Sequence, residues 1–292
     1  MNKYALLPVL LLTFLATFFA QQAPTPSIKV DVDLVLVNVT VMDPEDRYVV
    51  GLEKNNFQVW EDKVEQQVEY FSTEDVPLSV GLIFDASGSM QPMLGYARQA
   101  ALSFLETADA SDEYFLVEFN DRPQVTVDLT KDIAKLQQHI IFIPAKGSTA
   151  LYDAVYVGME RVRKANNPKR ALLVITDGEE NHSRYSFSNL REFVKEQNVQ
   201  IFSIGAAGPI NLLAELTGGY AFRGAGLSDI CQKIAVELKN EYIVGYHSTN
   251  TSKDGLWRKI QVKVNPPRGL PKLHLRAKAG YYAPTTETSL KP

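Results

Sequence analysis

With one cysteine, Cys231, in 292 residues, the chain can form no intrachain disulfide. Its stability must therefore come from its core and from any ion it binds. Histidine is also scarce. His139, His182, His247 and His274 are scattered, with no HExxH and no pair at zinc-ligand spacing, which removes the usual zinc-hydrolase arrangement. No serine occupies a GxSxG elbow, and no glycine-rich loop carries a phosphate-binding lysine. Lys and Arg total 30 against 34 Asp and Glu, for a net charge of −4. The basic residues form no cluster, which argues against a nucleic-acid partner. No apolar run reaches the ~20 residues of a membrane-spanning helix.

The longest apolar run, Ala5 to Ala20, follows Met1-Asn2-Lys3 and ends on a small residue before Gln21-Gln22. A basic start, a short apolar stretch and a small residue at its end describe a secretory signal over residues 1–20. The expectation is an exported protein, periplasmic or extracellular, with no transmembrane segment once the signal is cleaved. Phe18 suits the cut poorly, so an uncleaved N-terminal membrane anchor is the alternative. Cys231 falls on the apolar side of a helical pattern over 226–240, as a buried core thiol would.

After a Pro-rich spacer, Ala23-Pro24-Thr25-Pro26, residues 28 to 72 alternate with period two. Val35, Val37, Val39 and Val41 share one face of a strand. Asn56–Asp62 and Val64–Phe71 read as a hairpin turning near Asp62-Lys63. From Pro77 onward, strands at 78–84, 114–119, 171–176 and 200–205 are separated by helical periods, which predicts a parallel sheet. A further strand at 123–128 suits an antiparallel edge. Helices are expected near 91–107, 132–142, 150–164, 187–196, 209–217 and 226–240. Past residue 240, extended patterns return at 241–247, 257–264 and 273–277. Three terminal and about five initial strands suffice for one sandwich. The predicted organisation is thus an α/β domain over 76–240, inserted in or flanked by a β-sandwich built from 28–75 and 241–284. A disordered tail is expected from Thr285. Trp60 and Trp257, one in each β piece, suggest a shared core.

The most informative stretch is Asp85-Ala86-Ser87-Gly88-Ser89. The preceding Val80-Gly81-Leu82-Ile83-Phe84 is a buried strand by its continuous apolarity. Its carboxyl end, where open α/β sheets bind ligands, therefore carries one carboxylate and two hydroxyls. Hard oxygens of this kind suit Mg²⁺ or Mn²⁺ and hardly suit a soft transition metal. Two later segments can complete the set: Gly147-Ser148-Thr149 before a helix, and Thr176-Asp177-Gly178 after the strand Ala171–Ile175.

Asp-x-Ser-x-Ser, then Thr, then Asp, in this order, resembles the metal-ion-dependent adhesion site of von Willebrand factor A domains. Residues 30–284 further resemble a VWFA-related family first described in acidobacteria. That likeness rests on Val37–Val41, Asn56–Asp62, Asp85–Met90, Thr176–Asn181, Tyr242–Tyr246 and Gly280–Pro284. The resemblance implies a Rossmann-like A domain with a mostly parallel sheet and helices on both faces. It implies Mg²⁺ or Mn²⁺ held by Asp85, Ser87, Ser89, Thr149 and Asp177, with one position open to an Asp or Glu of a partner protein. The loop after Met90 reads Gln91-Pro92-Met93, without the paired acids of the adjacent second metal site in integrins, so one metal is expected. Asn120, Asp121, Ser148, Glu179, Glu180 and His182 are the candidate partner-binding rim, and no catalytic residue is assigned. A structural envelope scaffold with a non-essential metal site is the alternative. An exported metal-dependent hydrolase using His182 as general base is less favoured.

Overall fold

A computed structural model describes residues 34–74, 76–205, 208–222 and 227–285. The expected signal at 1–20, the Pro-rich spacer and the tail beyond Thr285 lie outside the described residues.

Eight residues of uninterrupted burial, Leu78–Asp85, make strand β5, in accord with its lack of any polar alternation. It pairs in parallel with β6 (Glu113–Phe119) and β8 (Lys169–Ile175), and β9 (Gln200–Ile204) continues the sheet beyond β8. The two-residue β10 (Ala221–Phe222) closes one edge, and antiparallel β7 (Pro123–Thr130) closes the other. The order is β10-β9-β8-β5-β6-β7.

Three helices cover each face. On one side α1 (Leu94–Leu105), α2 (Ile133–Ile141) and α6 (Leu227–Lys239) bury Ala97, Ala101, Leu136 and Ile234 against Val80, Leu82 and Phe84. On the other, α3 (Leu151–Val162), α4 (Phe187–Lys195) and α5 (Ile210–Thr217) bury Val155, Leu190 and Leu213 against Ile83, Val117 and Val174. The alternation of strand side chains divides a continuously apolar sequence between two cores. Gly158 lets α3 approach closely, because a Cβ there would lie 2.5 Å from Ile83 Cδ1. Cys231 is fully buried in the first core, and burial pushes its thiol up to about 12.

The remaining strands form two four-stranded sheets. β1 (Leu34–Met42) lies between β11 (Tyr242–His247) and β13 (His274–Ala277), with β4 (Tyr70–Ser72) beyond β11. The second sheet runs β14 (Gly280–Tyr282), β12 (Trp257–Val264), β2 (Phe57–Glu61), β3 (Val64–Gln66). Both sheets contribute to one core, which includes Val37, Val39, Val59, Val244, Tyr246 and Val262. Val37 stands opposite Val244, and Val59 opposite Val262. Apart from the β2–β3 hairpin, the N-terminal strands thus find their partners only after the whole α/β segment has been traversed. Asp62 and Lys63, at φ 46° and 72°, form the expected hairpin turn, the two positive φ values that match the twist of the flanking strands.

Three expectations need correction. Among the described residues four initial strands are present, against about five expected, and a fourth terminal strand is Gly280–Tyr282, too short to show a period. Neither tryptophan enters the shared core. Trp60 lies under Lys263, 4.3 Å from its ring centroid, and Trp257 packs edge-on to Tyr282 and beneath Lys195; the valine face of β1 fills the interior instead. Finally, Thr285 bridges to Asp254 and so belongs to the ordered β unit rather than to a tail.

A buried polar joint ties α6 to β1. Glu237 is 0% exposed and accepts from Thr40 Oγ1 at 3.0 Å and Arg276 at 2.6 Å. One turn on, Glu241 meets Lys169 at 2.9 Å. Such groups are tolerated only when paired, and these pairings span the β unit, α6 and the start of β8.

Candidate metal centre

Asp85 ends β5 and Asp177 follows β8, so the neighbouring parallel strands deliver both carboxylates to the same edge of the sheet. Asp85 and Ser87 are 0% exposed, and Thr149 is 1% exposed. The backbone N–H of Ser87 donates to Asp85 Oδ1 at 2.9 Å, and the Thr176 hydroxyl donates to Oδ2 at 2.6 Å. The Ser87 and Ser89 hydroxyl oxygens are 3.0 Å apart. Asp177 is half-buried, and its Oδ1 accepts from the Glu179 N–H at 3.1 Å.

Backbone hydrogen bonds join the loops that carry these groups. Ala86 donates to the Phe119 carbonyl at 2.7 Å, Lys146 to Ala86 at 2.9 Å, and Gly88 to Gly147 at 3.0 Å. Ala150 donates to the Asn120 carbonyl at 2.9 Å. Thr149 is held from both ends. Its N–H donates to Asn181 Oδ1 at 2.9 Å, and its carbonyl accepts from the Asn181 and His182 N–H groups at 3.0 and 3.1 Å. Gly147 adopts φ +83°, and a Cβ there would meet the Asp121 carboxylate at 2.8 Å. Asp121 Oδ1 in turn accepts from Ser148 N at 2.7 Å, which holds its carboxyl below the usual range.

Electrostatics define what this cluster can do. Burial raises the Asp85 carboxyl above its ordinary value, against the lowering effect of the Ser87 and Thr176 hydrogen bonds, and the nearby charge of Asp177 raises it further. Among the described residues, no Lys or Arg forms an ion pair with either carboxylate. A buried carboxylate close to a second, half-buried one, with adjacent hydroxyls and no ion-paired Lys or Arg among the described residues, forms a donor set suited to a hard divalent cation. The residues fit the implied metal.

The structure distributes the expected rim residues unequally. Asp121, Glu179 and His182 are exposed, and Asn120 and Ser148 are half-buried. Glu180 takes another role. One oxygen accepts from Tyr152 N at 3.0 Å and the Ser183 hydroxyl at 2.7 Å, while the other accepts from the N–H groups of His182 and Ser183 at 3.0 and 2.8 Å. Both oxygens are occupied, one of them at the first turn of α3, where the helix has unpaired N–H groups and favours negative charge. Thr176 and Asn181 are additional members of the site. Their only sequence signal is proximity to Asp177, since nothing local shows that their polar atoms face other loops.

The oxygen-rich cluster thus lies at the carboxyl end of the central strands of an α/β domain with helices on both faces of its sheet. Residues 80–180 match the family model of the von Willebrand factor type A domain. A curated relative, inter-alpha-trypsin inhibitor heavy chain H4 of Bos taurus, is 22% identical over 145 residues. That alignment covers 44% of this chain, and the chain spans only 16% of the relative's length. Among solved structures, an aerotolerance-related membrane protein from Bacteroides fragilis is similar at a TM-score of 0.48 and 17% identity, over 56% of this chain and 98% of that one. The vWF domain of the type V pili tip protein Mfa5 from Porphyromonas gingivalis is similar at a TM-score of 0.47 and 15% identity, over 56% and 95% respectively. Among the described residues no helix is long and apolar enough to cross a membrane.

Proposed function

We propose that this chain is an exported interaction module whose A domain binds a partner protein through a divalent metal. The observation that carries this reading is the convergence of Asp85 and Asp177 with the Ser87 and Ser89 hydroxyls, with no Lys or Arg among the described residues ion-paired to either acid. Asp85, Ser87, Ser89, Thr149 and Asp177 would hold Mg²⁺ or Mn²⁺. When bound, the ion supplies an exchangeable coordination position that an Asp or Glu side chain can fill.

The protein's own residues supply rigidity and selectivity. Thr176 orients Asp85, Asn181 clamps the Thr149 backbone, and Asp121 fixes the Gly147–Ser148 turn. Preorganisation of this kind reduces the ordering cost of binding. Asp121, Glu179 and His182 lie exposed around the edge, with Asn120 and Ser148 beside them, and would select the sequence that flanks the incoming acid.

The test is calorimetric titration with a blocked Gly-Asp-Gly peptide in Mg²⁺ or in EDTA. Saturable binding in metal, lost in EDTA and lost with the Gly-Asn-Gly peptide, supports the reading. Equal binding in EDTA would overturn it.

A further inference from the structure

Lys169 and Arg170 begin β8, whereas Thr176 and Asp177 follow it. At ~3.3 Å per residue the two ends of that strand are about 20 Å apart. At the Lys169 end, remote from the metal centre, the α/β and β units border a cavity of about 160 Å³. Leu36, Ile243 and Trp257 line its β side, and the segments entering β8 and β9 line the other.

The charge on this lining is one-sided. Lys169, Arg170, Lys195 and Lys278 contribute to it, and among the described residues no Asp or Glu does. Two of these cations are neutralised from outside the cavity, Lys169 by Glu241 at 2.9 Å and Lys195 by Glu192 at 3.0 Å. Among the described residues the other two form no ion pair with a carboxylate. Arg170 donates to the carbonyls of Asn167 and Ala165 at 3.2 and 3.0 Å. Lys278, between β13 and β14, donates to Asn198 Oδ1 at 3.1 Å. An ammonium has three N–H donors, and one neutral amide leaves its charge uncompensated. Burial accordingly pushes the Lys278 ammonium down to about 8.

A desolvated cation facing an apolar wall favours an anion with an apolar body, because the charge is then paired and the wall is covered in one event. A cavity of about 150 Å³ takes a molecule the size of benzene, so a long acyl chain or a folded partner does not fit. We propose that this cavity is a binding site for a small amphipathic carboxylate, its anionic end received by Lys278 and Arg170 and its apolar body against Leu36, Ile243 and Trp257. Occupancy would stabilise the seam between the two units, since a ligand that binds only the native state raises its stability. The site is independent of the metal centre.

Titration of the full chain with phenylacetate and with neutral phenylacetamide, followed by tryptophan fluorescence, tests the assignment. Phenylacetate should bind saturably, with the amide weaker by about tenfold or more through loss of the charge-assisted bond. Lys278→Met should reduce phenylacetate to the affinity of the amide, Lys278→Arg should largely restore it, and Asp85→Ala should leave it unchanged. Equal affinity for the two probes, unchanged affinity in Lys278→Met, or no saturable binding of phenylacetate would overturn the proposal. If Lys278→Met fails to fold, the wild-type protein decides by NMR titration of the Lys278 side chain. Its pKa should rise when phenylacetate is added, and no rise would contradict the assignment.

Discussion

Asp85 carries the largest electrostatic burden of any single residue in the candidate site. It is fully buried, close to a second acid, and held by one backbone and one hydroxyl donor. Thr176→Val keeps the shape of the side chain and removes the hydroxyl donor. A hydrogen bond to a charged group is worth about 1.5–3 kcal/mol, so urea unfolding should show a loss of that order and Mn²⁺ titration a weaker site. Gly147→Ala places a Cβ at φ +83° and against Asp121. Backbone strain of this kind costs about 1–3 kcal/mol, and the thermal midpoint should fall measurably. Asp85, Ser87 and Ser89 were readable from sequence because their spacing after an apolar strand is local information. The Thr176 bond to Asp85, the Asn181 clamp on Thr149 and the inward turn of Glu180 were not. Each depends on how separate loops stack at the sheet edge, and no local period records that.

At the scale of elements, α6 and its joint with β1 are the most distinctive feature. Burial raises the Glu237 carboxyl from 4.5 to about 7, with Arg276 opposing that rise and Glu241 reinforcing it; Thr40 and Tyr48 also face the group. Because the folded value is raised, this contribution to stability is fully present below about pH 4.5 and is lost as pH rises through about 7. Glu237→Gln should therefore flatten the pH dependence of the urea midpoint across that window. An unchanged slope in the variant would show that the carboxylate is not the titrating group. The helix itself was visible as an apolar stripe over 226–240, and the structure places it at Leu227–Lys239. Its polar joint was not visible, because nothing local in the sequence shows that Glu237 and Glu241 meet Thr40, Arg276 and Lys169.

For the whole molecule, the switch from alternating strands to strand-helix repeats and back left two readings open in sequence, an α/β domain inserted in a β-sandwich or flanked by it. β1 pairing with β11 and β13 confirms that residues before and after the α/β segment share one sheet. The tryptophans misled because large aromatics were taken as core anchors, whereas Val37, Val39, Val59 and Val244 fill the space between the sheets. Trp60 and Trp257 cover the outer surfaces under lysine side chains. Each four-stranded sheet is completed only by strands from both sides of the α/β segment, and the joint with α6 and β8 couples the β unit to the α/β domain, so the two are expected to unfold together. Arg276→Met should confirm this, since breaking a buried pair costs about 3–5 kcal/mol. Calorimetry should show the loss across the whole transition rather than in a separate β-unit transition.

The central claim is that Asp85, Ser87, Ser89, Thr149 and Asp177 constitute a working divalent-metal site. Thermal unfolding in Mg²⁺, Mn²⁺ or EDTA, for the wild-type chain and for Asp85→Ala, tests it most directly. A ligand at a hundred times its Kd stabilises the native state by about 2.7 kcal/mol, so the wild-type midpoint should rise in metal and the variant's should not. Coincident wild-type midpoints in millimolar metal and in EDTA would contradict the account.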